Sequence, residues 1–112
     1  MSGNSYSASV AVATALDVAA LNAFKYAAVH KDSPETYKQA RAGGTLLGAA
    51  AYYNAGNAVE ASGVAVANTT WNVASTTTNA VVGHLYWGEK LSQRNWAGVA
   101  LAVLGLWLLN SD

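Results

Sequence analysis

The sequence predicts an all-α protein, a single four-transmembrane-helix bundle spanning residues 1–112. Three observations lead there. Charged residues are only 11% of the chain, against roughly 25% in a typical soluble domain. They gather in a few short junctions. The charge-free segments between the junctions are close to the ~20 residues that cross a bilayer. Six Lys and Arg balance six Asp and Glu, whereas a soluble surface usually carries more charge of both signs and a net charge away from zero. The same balance excludes the basic patch of a nucleic-acid-binding protein. The chain has no Cys, which excludes disulfide scaffolds, Cys-ligated metal sites and thiol nucleophiles.

Helix one is expected at about 8–28, where Asp17 is the single charge before Lys25. No basic segment precedes it, so it does not read as a secretory signal. The first junction carries Lys25, Lys31, Asp32, Glu35, Lys38 and Arg41, together with His30 and the only proline, Pro34. The run from Pro34 to Arg41 is a candidate interfacial turn leading into helix two. Helix two is expected at about 42–59, closed by the turn signal Glu60-Ala61-Ser62-Gly63. Helix three, about 64–87, carries no charge up to Gly88 but is rich in Asn and Thr. Glu89, Lys90 and Arg94 form the third junction. Helix four, about 95–110, is the most apolar segment, with Trp96 and Trp107 near its ends as interfacial anchors.

Composition pulls the other way. The chain is 53% hydrophobic, yet its mean hydropathy is only +0.18. The apolar residues are small: 24 Ala, 12 Val and 11 Leu, with no Ile. A polar-substituted, water-soluble copy of a membrane bundle has the same composition.

Asp17 is the most informative residue. A carboxylate near the middle of a membrane helix is costly unless paired, hydrated or protonated, and points to a cation site or a proton relay. The competing reading is a salt bridge to Lys25 or a bond to Asn residues. On a helical wheel Asn68, Asn72, Ser75 and Asn79 fall within about 60° of one another, with Trp71 beside them. Such a stripe is expected to face the bundle interior, near Asp17, or to serve as interhelical glue. Asn54 and Asn57 add polar groups from helix two. His30 and His84 are solitary, so no metal site is expected. No nucleophile–base arrangement or phosphate loop appears, so neither an enzyme nor a cofactor is expected. Gly98, Ala102 and Gly105 share one face of helix four, where small residues allow close helix approach and dimerisation.

Taken together, these residues resemble the small multidrug resistance family, the four-helix members of the drug/metabolite transporter superfamily. Asp17 stands where that family has a membrane-embedded glutamate, and Phe24-Lys25-Tyr26 follows as in the family. Trp71 is similar to the tryptophan of its binding chamber. Gly88-Glu89-Lys90-Leu91 is similar to its loop before helix four, and Trp87-Gly88-Glu89-Lys90-Leu91-Ser92 resembles the corresponding loop in larger members of the superfamily. Gly98 and Gly105, seven apart, match its dimerisation glycines. The chain departs from the family in having Asp for Glu, Asn68 for a tyrosine and Gly48 for another chamber tyrosine, although Tyr52 and Tyr53 lie one turn away. Its first junction is also longer. The resemblance implies a transporter in which protons and cationic or guanidinium-like substrates compete for paired carboxylates. The thinned aromatic cage points to a smaller or more polar substrate.

The expected function is therefore proton- or cation-coupled transport of small cationic or polar metabolites or drugs. Asp17, Trp71, Asn68, Asn72, Tyr52 and Tyr53 are the expected site, and Gly98, Ala102 and Gly105 the expected dimer face. The expected partners are the lipid bilayer, protons, a small-molecule substrate, and a second copy or another membrane subunit. The protein is expected to be an integral multi-pass membrane protein. The alternatives are a non-transporting structural subunit of a larger assembly and the soluble analogue. All six Lys and Arg lie in the first and third junctions. The positive-inside rule then places those junctions in the cytoplasm and both termini outside. With that fixed topology, a homodimer is expected to be parallel, or the chain to pair with an oppositely inserted partner.

Overall fold

Small residues at every seventh position organise the fold. A computed structural model describes residues 3–111, with side chains from Tyr6 to Ser111. Helix α1 (Gly3–Val29) presents Ala13, Ala20 and Ala27, all buried. Helix α2 (Pro34–Ser62) presents Gly44, Ala51 and Ala58, also buried. The two helices run antiparallel. Gly44 lies against Phe24 and Ala20 near one end, Ala51 clusters with Ala13, and Ala58 clusters with Val10. Theirs is the broadest interface in the chain. A Cβ at Gly44 would come within 2.6 Å of the Phe24 ring and 3.1 Å of the Ala20 carbonyl oxygen, so the backbones meet closely because no side chain intervenes.

Helix α3 (Val64–Leu85) packs against both, parallel to α1. Helix α4 (Gln93–Leu109) touches α3 alone and has no buried residue. The chain is all-α, with four helices and no strand among the described residues. It is not a closed bundle of four: three helices pack mutually and α4 flanks them. The Cα extents of 49 × 34 × 17 Å reflect that flat arrangement.

The helices outrun the charge-free segments. α1 starts at Gly3 rather than 8, and α2 starts at Pro34 rather than 42. Pro34 occupies the first turn, where a missing N–H costs nothing, and Glu35 follows it there, where a carboxylate suits the helix dipole. α3 ends at Leu85, and α4 starts at Gln93, capped by Ser92 and Asn95, whose side chains each bond the other's backbone N–H.

The Glu60–Gly63 turn is tighter than expected: Glu60 to Ser62 are helical and Gly63 alone joins α2 to α3. Its φ of 89° and ψ of 164° lie in a region essentially reserved for glycine. Gly63→Ala is therefore expected to lower stability by about 1–3 kcal/mol, read as a fall in the unfolding midpoint. An unchanged midpoint would mean that the turn relaxes around the methyl group.

The buried set is Ala, Gly, Ser75, Trp71 and Val10. The larger apolar side chains point outward: Leu46, Tyr53, Leu85, Leu101 and Trp107 are all exposed. α1 is the one described helix long and apolar enough to cross a membrane, over Tyr6–Val29.

Candidate functional site

Asp17 sits near the middle of α1, half-buried. The Ser75 hydroxyl of α3 donates a hydrogen bond to its carboxylate. Ser75 is 4% exposed, so this contact is closed to solvent on the α3 side. A hydroxyl can donate to a carboxylate or accept from a carboxylic acid. Ser75 can therefore serve Asp17 in either protonation state.

The contact opens a polar ladder between α1 and α3. The Asn79 amide donates to Ser75 Oγ at 3.2 Å and to the Ser75 carbonyl at 2.9 Å. Asn22 Nδ2 donates to Asn79 Oδ1 at 3.4 Å. The Trp87 indole N–H donates to Asn22 Oδ1 at 2.6 Å. Beside Trp87, Lys25 Nζ pairs with Glu89 Oε2 at 2.8 Å, tying the first and third junctions at one end of the molecule. Gly83 makes room for Glu89, because a Cβ there would lie 2.6 Å from Glu89 Oε1. The Glu89 N–H also donates to the Gly83 carbonyl. Lys25 thus pairs with Glu89, in the loop before α4, not with Asp17.

Trp71 is 6% exposed and packs with Ala13, Ala51 and Ala55, one turn from Ser75. Its indole N–H has no partner. Tyr52 meets it edge-on, with ring centroids 5.0 Å apart. Together with Asn68 they line a pocket of about 250 Å³ between α2 and α3.

The expected chamber therefore divides. Asp17 belongs to the polar α1–α3 seam; Trp71, one turn from Ser75 and packed with Ala13 and Leu16 of α1, adjoins it, whereas Tyr52 and Asn68 meet Trp71 from the α2–α3 pocket. Asn72 is exposed and bonds Asn68 Oδ1 at 2.7 Å, so neither Asn68 nor Asn72 joins Asp17. Tyr53 is 76% exposed and lies outside the pocket. Asn54 bonds its own helix at Ala50. The residues that do reach the seam from α1 and the third junction, Asn22, Trp87 and Glu89, were not among the expected site. Asn22 is five residues from Asp17, off its helical turn, and gives no local signal. Both histidines are engaged locally: His30 stacks on Tyr26, and His84 Nδ1 lies 3.0 Å from the Glu89 carbonyl oxygen.

Gly98 and Gly105 are exposed with no atom near the position of a Cβ, and Ala102 is half-buried. Comparison with protein-family models, with curated proteins and with solved structures finds no match.

Proposed function

We propose that this protein is a proton- or cation-coupled membrane transporter of small cationic or polar molecules, with Asp17 as its membrane-embedded carboxylate. One observation carries the reading. Asp17 lies midway along the helix best able to cross a bilayer, and a buried hydroxyl of α3 bonds its half-buried carboxylate at the α1–α3 seam. Leaving that charge in lipid would cost about 3 kcal/mol, so its place in the seam has a physical reason. Of the described helices only α1 is long and apolar enough to span by itself; further spans are part of the proposal, and the distribution of side chains is their support. Small residues line the helix contacts, as in membrane bundles, and large apolar ones face outward. In this reading the first and third junctions are cytoplasmic, and α4 joins two copies through Gly98, Ala102 and Gly105.

The test is proton release on adding guanidinium to purified protein in weakly buffered detergent solution. The parent chain should release protons and Asp17→Asn should release none. Release undiminished in Asp17→Asn would remove Asp17 from the mechanism. A chain that inserts into membranes but releases no protons is the structural-subunit alternative. One that stays in solution without detergent is the soluble analogue.

A further inference from the structure

The two sides of Asp17 are unlike. Toward the Gly63 end lie two apolar layers: Ala13, Ala51, Ala55 and Trp71 with Leu16, then Val10, Ala58 and Ala67. The buried polar atoms on that side, Tyr6 Oη, Thr14 Oγ1 and the Trp71 indole nitrogen, have no hydrogen-bond partner, so no bonded polar chain leads outward through these layers. Toward the other end the Ser75–Asn79–Asn22 ladder runs from the Asp17 carboxylate to a cavity of about 170 Å³. That cavity is lined by Asn22, Asn79, Gly83 and Trp87, and by the Lys25–Glu89 pair. Both ends of the pair are partly exposed, 38% for the Lys25 side chain and 46% for Glu89, so the pair stands where the cavity meets solvent.

We propose that this cavity is the vestibule through which Asp17 is loaded, and that it admits small organic cations of guanidinium or methylammonium size. The inference rests on Asp17 being the cation and proton site. Glu89 is the first carboxylate a cation meets. Lys25 is a tethered cation already seated on it, so an incoming cation must displace the Lys25 ammonium from Glu89. The Asn22 and Asn79 carbonyl oxygens then offer acceptors along the way to Asp17. Gly83 is part of the design, because any side chain there would drive the Glu89 carboxylate out of the vestibule. A cation carrying four phenyl rings does not fit a space of this volume.

The chain has no native Cys, so single cysteines report access directly. Asn79→Cys, in the ladder, and Ala13→Cys, in the apolar layer, are exposed to the small cationic reagent 2-aminoethyl methanethiosulfonate in reconstituted vesicles. Circular dichroism and sizing establish that each variant is folded, and Ala67→Cys replaces Ala13→Cys if that one is not. Asn79→Cys should react, from the face bearing the first and third junctions, while the apolar-layer cysteine should not. Adding Lys25→Met removes the tethered cation and leaves Glu89 to attract the reagent. Modification of Asn79→Cys should then accelerate about tenfold, with no gain for the anionic 2-sulfonatoethyl reagent. A folded Asn79→Cys as inert as the apolar-layer cysteine, or a rate indifferent to Lys25→Met, overturns the vestibule. If guanidinium still releases protons through Asp17 in that case, the transport reading stands and loading takes another route. If labelling is as expected but guanidinium releases no protons through Asp17, the loading role is overturned together with the transport reading.

Discussion

Gly44→Leu should be among the most destabilising single substitutions in the chain, while Gly43→Ala beside it should stabilise. The two glycines are adjacent in α2, yet their surroundings are opposite. At Gly44 even a methyl group meets the Phe24 ring at 2.6 Å and the Ala20 carbonyl at 3.1 Å. The ring can swing aside, but the carbonyl is backbone and yields only if α1 moves. A leucine there must push α1 and α2 apart, and with them the Ala13–Ala51 and Val10–Ala58 contacts further along. Overpacking of this kind costs about 1–3 kcal/mol, and the long shared interface puts this case at the upper end. At Gly43 nothing lies within 4 Å of a new Cβ. There the substitution gains only helix propensity, about 1 kcal/mol. Denaturant unfolding followed by circular dichroism in one detergent should show midpoint shifts of opposite sign. A Gly44→Leu protein as stable as the parent would mean that α1 and α2 are not held at this distance by the glycine.

The α1–α2 seam is written in the sequence but is not marked by charge, so a reading from charge misses it. Ala13, Ala20 and Ala27, then Gly44, Ala51 and Ala58, repeat every seven residues, which is the period of closely packed helix pairs. In a chain with 24 alanines the repeat is hidden by the alanines around it. Charge placement separated the four helices but misplaced their ends, because it marks where charge is tolerated, not where the backbone stops being helical. Lys38 and Arg41 lie well inside α2.

The polar stripe of α3 went astray for a geometrical reason. A helical wheel assumes that the contact line runs straight along the helix. Here the inward-facing residues are Ala67, Trp71, Ser75, Asn79 and Gly83, an i, i+4 row, and such rows are inclined to the axis. Each step of four advances roughly 40° around the wheel. Ser75 and Asn79 lie on this row, whereas Asn68 and Asn72, at nearly the same azimuth, belong to turns where the contact line has rotated away. Trp87 and Glu89 were out of reach of any periodicity argument, because they come from the loop after α3 and return to α1 only through tertiary contacts.

Replacing Gly98 and Gly105 together with leucine should convert an oligomer to monomers without unfolding the chain. α4 is the natural candidate for an intersubunit contact because its own chain makes so little use of it. It packs on α3 alone, and Leu101, Leu104, Trp107 and Leu108 are more than half exposed. The two glycines, seven residues apart, fall on one face with open space where a Cβ would be. Within one chain, then, a Cβ at these positions meets nothing, and each substitution gains up to about 1 kcal/mol of helix propensity. Between chains the outcome reverses. Helices that associate through small residues depend on close backbone approach, and two leucine side chains hold the backbones apart. Sedimentation in detergent should show the parent chain as an oligomer and the double variant as a monomer, with unchanged helix content and an equal or higher unfolding midpoint. This pairing of effects separates an interface from a folding element. If the oligomer survives the double substitution, α4 packs only within its own chain. If the variant unfolds, the glycines serve a contact inside the protomer, against the open space around them.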